Sequence, residues 1–115
     1  MKILKFKGFK ADWILEGTKT STLRLFDDKD LRVGDKLDLI NSDTVTVFAH
    51  AIITEVIQKT LGEINDIDLE GHEKWHSQED MIKTHKLYYG DAVNIQTPAK
   101  IIRFKLLSER GDRGI

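Results

Sequence analysis

Apolar and polar positions along the chain repeat with either strand or helix periodicity, and the switches between the two mark its elements. From Ile3 to Lys7 the sequence alternates, with Leu4 and Phe6 opposing Lys5 and Lys7, which predicts a half-buried strand. Lys10 to Glu16 reads as a helix with Phe9, Trp13 and Ile14 on one side, and Gly17 stands where it would stop. Thr20 to Leu25 is rich in β-branched residues and reads as a second strand. After a charged loop at Asp27 to Asp30 and a turn at Val33-Gly34-Asp35, Lys36 to Ile40 alternates again. Asn41-Ser42-Asp43 then turns the chain back.

Thr44 to Val56 is one long β-rich run whose apolar residues change phase, from Val45 and Val47 to Ile52 and Val56. A bulge, or a strand buried on both faces, accounts for that change, and a strand of this length suits a small barrel. Leu61 to Ile67 predicts a short helix. Ser77 with Asp80 three residues on marks the start of another, with Met81, Ile82, His85, Tyr88 and Tyr89 on one stripe and Gly90 as its stop. Pro98 makes the stretch before it a loop. Lys100 to Leu107 is the last strand, with Ile102, Phe104 and Leu106 inward, and Ser108 to Ile115 is a polar, frayed tail. No repeat or linker divides the chain, so residues 1–107 form one α+β domain with 108–115 as its tail.

Composition narrows the class. The 115 residues suffice for one domain with a modest core, and their 40% apolar content agrees. Cysteine is absent, which excludes disulfides and thiolate chemistry and fits a reducing compartment. No apolar run approaches the roughly 20 residues that span a bilayer. The N-terminus alternates charge with hydrophobe, unlike a signal peptide. The expected location is the cytoplasm, with no membrane partner. A net charge of −1 and a pI near 6.4 argue against a duplex-DNA binder, which carries a strongly basic face. A local basic patch or a small polar ligand remains compatible.

One segment concentrates candidate chemistry. Gly17-Thr18-Lys19-Thr20-Ser21-Thr22-Leu23-Arg24 has the form Gly-x-Lys-x-x-Thr-x-Arg, follows a helix and opens a strand. A threonine hydroxyl becomes a nucleophile when a base takes its proton, and a desolvated lysine is such a base. A carboxylate can orient the lysine or carry a proton to a leaving amine. Arg24 is suited to hold a carbonyl oxygen or a phosphate with its planar fork. In a regular strand residues 19 and 22 face opposite sides, so these roles require Lys19 to sit in the turn before the strand. The alternative is that Lys19 and Arg24 are solvated charges and that Thr20 and Thr22 are ordinary strand residues.

The motif, with Leu15-Glu16-Gly17, Val33-Gly34-Asp35, Glu70-Gly71, Tyr88-Tyr89-Gly90 and a last strand ending Phe104-Lys105-Leu106-Leu107, resembles the ASCH domain family. The resemblance covers nearly the whole chain. It implies a PUA-like β-barrel of about five or six strands flanked by two or three helices, with a cleft suited to a nucleoside or RNA segment. Some short members resemble amidohydrolases that remove the acetyl group of N(4)-acetylcytidine with a Lys, a Thr and a Glu. By the motif, Lys and Thr carry over to Lys19 and Thr22. Counting back from Tyr88-Tyr89-Gly90 puts the Glu at Glu73, with Glu70 its rival. Gly17, Thr20, Arg24 and Glu70 are then the expected substrate contacts. The two functions to be separated are amide hydrolysis and RNA binding without catalysis, neither needing a cofactor; oligomeric state stays open.

His72-Glu73-Lys74-Trp75-His76 also matches His-Glu-x-x-His, the zinc-protease pattern. That chemistry needs both histidines one helical turn apart plus a third ligand. Here the better helix start, Ser77, comes after the second histidine, so no metal site is expected. His85 reads as a satisfied core histidine and Trp75 as packing. Asp27, Asp28 and Asp30 read as a charged turn rather than a cation site, and Lys2, Lys5, Lys7 and Lys10 as a solvated face or a rim that meets phosphate.

Overall fold

The structure, a computed structural model, describes residues 2–107. The expected tail from Ser108 to Ile115 lies outside them. The elements in order are β1 (Lys2–Phe6), α1 (Gly8–Glu16), β2 (Ser21–Leu25), β3 (Lys36–Asn41), β4 (Thr46–Thr60), a single 3₁₀ turn (Leu61–Glu63), α2 (Gln78–Tyr89) and β5 (Pro98–Leu107). The five strands form one sheet in the order β1-β3-β4-β5-β2, parallel only between β1 and β3. The sheet curls into a half-barrel whose edges are β1 and β2, which do not pair among the described residues.

The phase change in β4 is resolved by two bulges. Register shifts between Leu39 and Ile40 opposite β3, leaving Phe48 outside the pairing, and between Ile53 and Glu55 opposite β5, leaving Thr54 outside it. Each extra residue sharpens the local twist and bends the long strand, which is how one strand serves two parts of a curved sheet.

Two core clusters sit on the sheet. One joins Leu4, Phe6, Leu37, Leu39, Ile53, Ile102 and Phe104 to Ile14 of α1. The other joins Leu23, Leu25, Leu61, Val93, Ala99 and Ile101 to Met81 of α2. Adjacent Ile101 and Ile102 serve opposite clusters, as period-two alternation requires on a strand covered on both faces.

Two helical expectations need correction. Helix α1 buries Ala11 and Ile14, while Phe9 and Trp13 stand 51% and 37% exposed, so the aromatic pair is not its core stripe. The helix expected over Leu61 to Ile67 ends after one turn. There Asn65 and Asp68 exchange side-chain bonds with each other's backbone N–H groups, at 2.9 and 3.1 Å, giving the backbone an alternative to the helix. No helix is long and apolar enough to cross a membrane, among the described residues.

Candidate active site

Helix α1 ends at Gly17, whose positive φ of 87° lets its N–H reach back to the carbonyl of Ile14. The chain then turns through Thr18 and Lys19, both of whose N–H groups are held by the carbonyl of Trp13, before β2 begins at Ser21. Lys19 therefore lies in the turn, free of strand alternation. Within β2, Thr22 and Arg24 share one face. The loop before α2 is stitched to the same place: the carbonyl of Gly71 accepts from Thr20 and Ser21 N–H at 2.8 and 3.2 Å, and that of Glu70 from the Ser21 hydroxyl at 3.2 Å.

These elements enclose a cavity of about 490 Å³ lined by Lys19, Thr22, Arg24 and Glu73 and walled by Phe9, Trp13, Trp75, Tyr88 and Tyr89. Lys19 is 3% exposed and its Nζ donates to Glu73 Oε2 at 2.6 Å. Lys10 Nζ lies 3.4 Å from the other oxygen, Oε1. Thr22, 4% exposed, accepts a 3.0 Å hydrogen bond at Oγ1 from Arg24 Nε. Arg24 Nη2 donates to the carbonyl of Lys5 at 2.9 Å, and its guanidinium lies 5.0 Å from the centre of the Phe6 ring.

Burial lowers the pKa of Lys19; Glu73 opposes the shift, and the like charges of Lys10 and Arg24 add to it. Burial alone would raise Glu73, but the interactions with His72 and Lys19 outweigh it and hold the carboxyl at about 2. Burial, then the Lys19 charge, pushes His72 down to about 4. His72 is therefore neutral at pH 7, which leaves Lys19 as the principal partner of the Glu73 carboxylate there.

Of the expected site residues, Lys19, Thr22, Glu73 and Arg24 line one cavity. Gly17, Thr20 and Glu70 do not. Gly17 is spent on capping α1, Thr20 packs against Gly71, and Glu70 is exposed, contributing only backbone bonds. Arg24 also departs from expectation, because two of its nitrogens already serve Thr22 and Lys5. Lys2 is bound to Asp35 at 2.7 Å and takes no part in the cavity rim. The His-Glu-x-x-His segment precedes the helix that starts at Gln78, so no helical turn aligns the two imidazoles. His72 Nδ1 instead donates to the carbonyl of Glu73 at 2.8 Å.

Lys5, Lys7 and Lys10, weighed as a basic rim, do line the cavity, whereas the sequence reading missed Phe9, Trp13, His72 and the two tyrosines as cavity residues. Their signal was an aromatic pair four residues apart on α1, and Tyr88-Tyr89 at the end of α2, on helices whose buried residues are few. Trp75 packs on the second core cluster, as expected, and also lines the cavity. His85 is buried with its Nδ1 2.8 Å from the carbonyl of Met81, as a satisfied core histidine should be, although its ring also reaches the cavity wall.

A curled five-stranded sheet with a helix-covered cavity at the β2 edge gives this chain an α+β fold. Its fold is that of ASCH domains. It is similar to an ASCH domain from Lactobacillus crispatus JV V101 (TM-score 0.68, 16% identity, covering 91% of this chain and 79% of that one). A protein from Enterococcus faecalis V583 matches with a TM-score of 0.74 at 12% identity, covering 92% and 79%. An ASCH protein from Zymomonas mobilis matches with a TM-score of 0.65 at 12% identity, covering 90% and 65%. No family sequence model matches the chain, and no curated protein is similar to it in sequence.

Proposed function

We propose that the chain is an amidohydrolase that removes the acyl group of an N(4)-acylated cytidine, with Thr22 as nucleophile, Lys19 as its base and Glu73 as the group that orients Lys19. The observation that carries this reading is the 2.6 Å contact between buried Lys19 and Glu73, in the wall of a cavity that Thr22 shares. A solvated strand lysine would have no reason to be 3% exposed or to be held by a single carboxylate.

The chemistry follows from those three groups. Unprotonated Lys19 takes the Thr22 hydroxyl proton as Oγ1 bonds to the acyl carbon and the carbonyl electrons move onto oxygen. Collapse breaks the bond from carbon to the exocyclic nitrogen. The proton on Lys19 goes to that nitrogen, which leaves as the cytosine amine. Water, activated by the same lysine, then hydrolyses the Thr22 ester to a carboxylic acid and restores the hydroxyl. Arg24 Nε, donating to Thr22 Oγ1, leaves the hydroxyl proton to point elsewhere and favours negative charge on the oxygen. The aromatic wall supplies flat apolar surface for a pyrimidine ring.

The test is incubation of the purified chain with N(4)-acetylcytidine and chromatography for cytidine. Release of cytidine that disappears in Thr22→Ala supports the reading; no release at any pH between 6 and 10 discards it. A second reading, an RNA-binding module using the same cavity, is favoured by the exposed aromatics Phe9 and Tyr88 at its wall.

A further inference from the structure

The cavity is far more basic than the chain as a whole. Among the described residues five cationic side chains line it, those of Lys5, Lys7, Lys10, Lys19 and Arg24, against one carboxylate, Glu73, in a protein whose net charge is −1. His72 cannot add to the count at neutral pH, because burial and the Lys19 charge push it down to about 4. Glu73 already holds Lys19 at 2.6 Å and Lys10 at 3.4 Å, so its single charge is shared by two ammonium groups. Neither Lys5 nor Lys7 has a carboxylate partner among the described residues, and both are exposed at the cavity.

A neutral nucleoside gives this concentration of charge nothing to bind. Like charges gathered in a concave site repel one another, and the field they create is focused between low-dielectric walls. The arrangement is sustained at a cost unless an anion completes it. We infer that the ligand of this cavity carries a phosphate beside its nucleoside, with the phosphate at the Lys5, Lys7 and Lys10 side and the base towards Lys19 and Thr22. The inference rests on the amidohydrolase reading for the acyl group but not for the phosphate.

The phosphate has two sources, a mononucleotide or an internal linkage of RNA. Trp13 and Trp75 line the cavity, so their fluorescence reports binding without any need for turnover. Cytidine, cytidine monophosphate, a short oligocytidine and inorganic phosphate are titrated in turn, and the N(4)-acetylated forms of the first three are assayed for hydrolysis. The expected result is at least about tenfold tighter binding of the phosphorylated ligands than of cytidine, with inorganic phosphate alone weak, and an equal preference in kcat/KM. Changing Lys5 and Lys7 together to Gln should bring the phosphate-to-nucleoside ratio down towards one. An oligomer site gives a steeper loss of affinity with salt than a mononucleotide site, since each phosphate engaged releases further counterions.

Cytidine bound as tightly as its phosphate, or a ratio unmoved by the double substitution, overturns the inference. Hydrolysis of N(4)-acetylcytidine with no phosphate preference sinks it while sparing the enzyme. Phosphate-dependent binding without hydrolysis of any acylated form does the reverse.

Discussion

Lys19 and Glu73, 54 positions apart, meet at 2.6 Å because two segments on either side of the sheet edge are tied together by the carbonyl of Gly71. The turn after α1 delivers the lysine and the loop before α2 delivers the carboxylate. Neither residue belongs to a strand, so their geometry is set by backbone hydrogen bonds rather than by strand register.

The identity of the Lys19 side chain separates catalysis from charge. Lys19→Ala should lower turnover by about 10²–10⁴, the usual worth of a positioned base. Lys19→Arg should not restore it, since arginine does not give up its proton near neutral pH. Thr22→Ala should abolish turnover yet leave nucleotide affinity nearly intact. Steady-state kinetics beside tryptophan titrations measure both. Full activity in the arginine variant would falsify Lys19 as a proton acceptor and leave a binding module as the better account.

Acid should weaken the fold in two stages. His72 is depressed from an ordinary 6.5 to about 4, so its contribution to stability is complete above pH 6.5 and is lost as pH falls towards 4. Glu73 is depressed from 4.5 to about 2, so its contribution is lost below pH 4.5. Urea unfolding midpoints across pH should therefore decline over both windows. Glu73→Gln should flatten the lower one, and should cost about 1.5–3 kcal/mol at pH 7 by leaving the Lys19 ammonium without its charged partner. Equal slopes below pH 4.5 in the two proteins would show that Glu73 is not the group titrating.

Gly71 is predicted to be unusually intolerant. Its φ is +74°, and a Cβ there would stand 1.9 Å from Thr20 Oγ1 and 3.2 Å from Thr20 Cβ. Gly71→Ala should destabilise by about 3 kcal/mol or more, combining the left-handed backbone cost of about 1–2 kcal/mol with the clash. In a Thr20→Ala background the clash with oxygen disappears, so the same substitution should cost nearer the backbone value. A double-mutant cycle by urea unfolding reads the coupling. Strict additivity would place the Thr20 side chain elsewhere.

Strands with one buried face, such as β1, were legible from their alternation, and β2 from its β-branched residues. Leu4 and Phe6 against Lys5 and Lys7 gave β1, and the phase change between Val47 and Ile52 marked the stretch of β4 that holds the bulge at Phe48, with the second bulge, at Thr54, just beyond it. Helix α1 was harder. Its aromatic residues look like core in sequence, but they serve the cavity, and Ala11 with Ile14 carries the packing. The cavity itself was legible only through the Gly-x-Lys-x-x-Thr-x-Arg spacing. Nothing local distinguishes a buried lysine from a solvated one, since burial of Lys19 comes from a loop more than fifty residues away. Counting back from Tyr88-Tyr89-Gly90 favoured Glu73 over its rival Glu70, and beyond the turn at Gly71 it is Glu73 that lines the cavity.

Arg24 is expected to act on the nucleophile rather than on the substrate. Its Nε meets Thr22 Oγ1 at 3.0 Å, its Nη2 meets the Lys5 carbonyl at 2.9 Å, and its plane lies over Phe6. The backbone contact and the ring fix the fork, so the Nε–H aims at one oxygen. Lysine has a single nitrogen and no plane, and cannot reproduce all three contacts. Arg24→Lys should therefore lower the rate of Thr22 acylation by about 10–100-fold, the worth of one hydrogen bond from a charged group at roughly 1.5–3 kcal/mol. A merely structural arginine would instead reduce the folded fraction and leave each folded molecule as fast as before. Single-turnover acylation, normalised to the folded fraction from circular dichroism, distinguishes the two. The pH profile adds a second readout, because an alkoxide that has lost its cationic neighbour needs a higher pH to form, and the alkaline rise in rate should move upward. An acylation rate per folded molecule within twofold of the parent, with an unshifted profile, would return Arg24 to the scaffold.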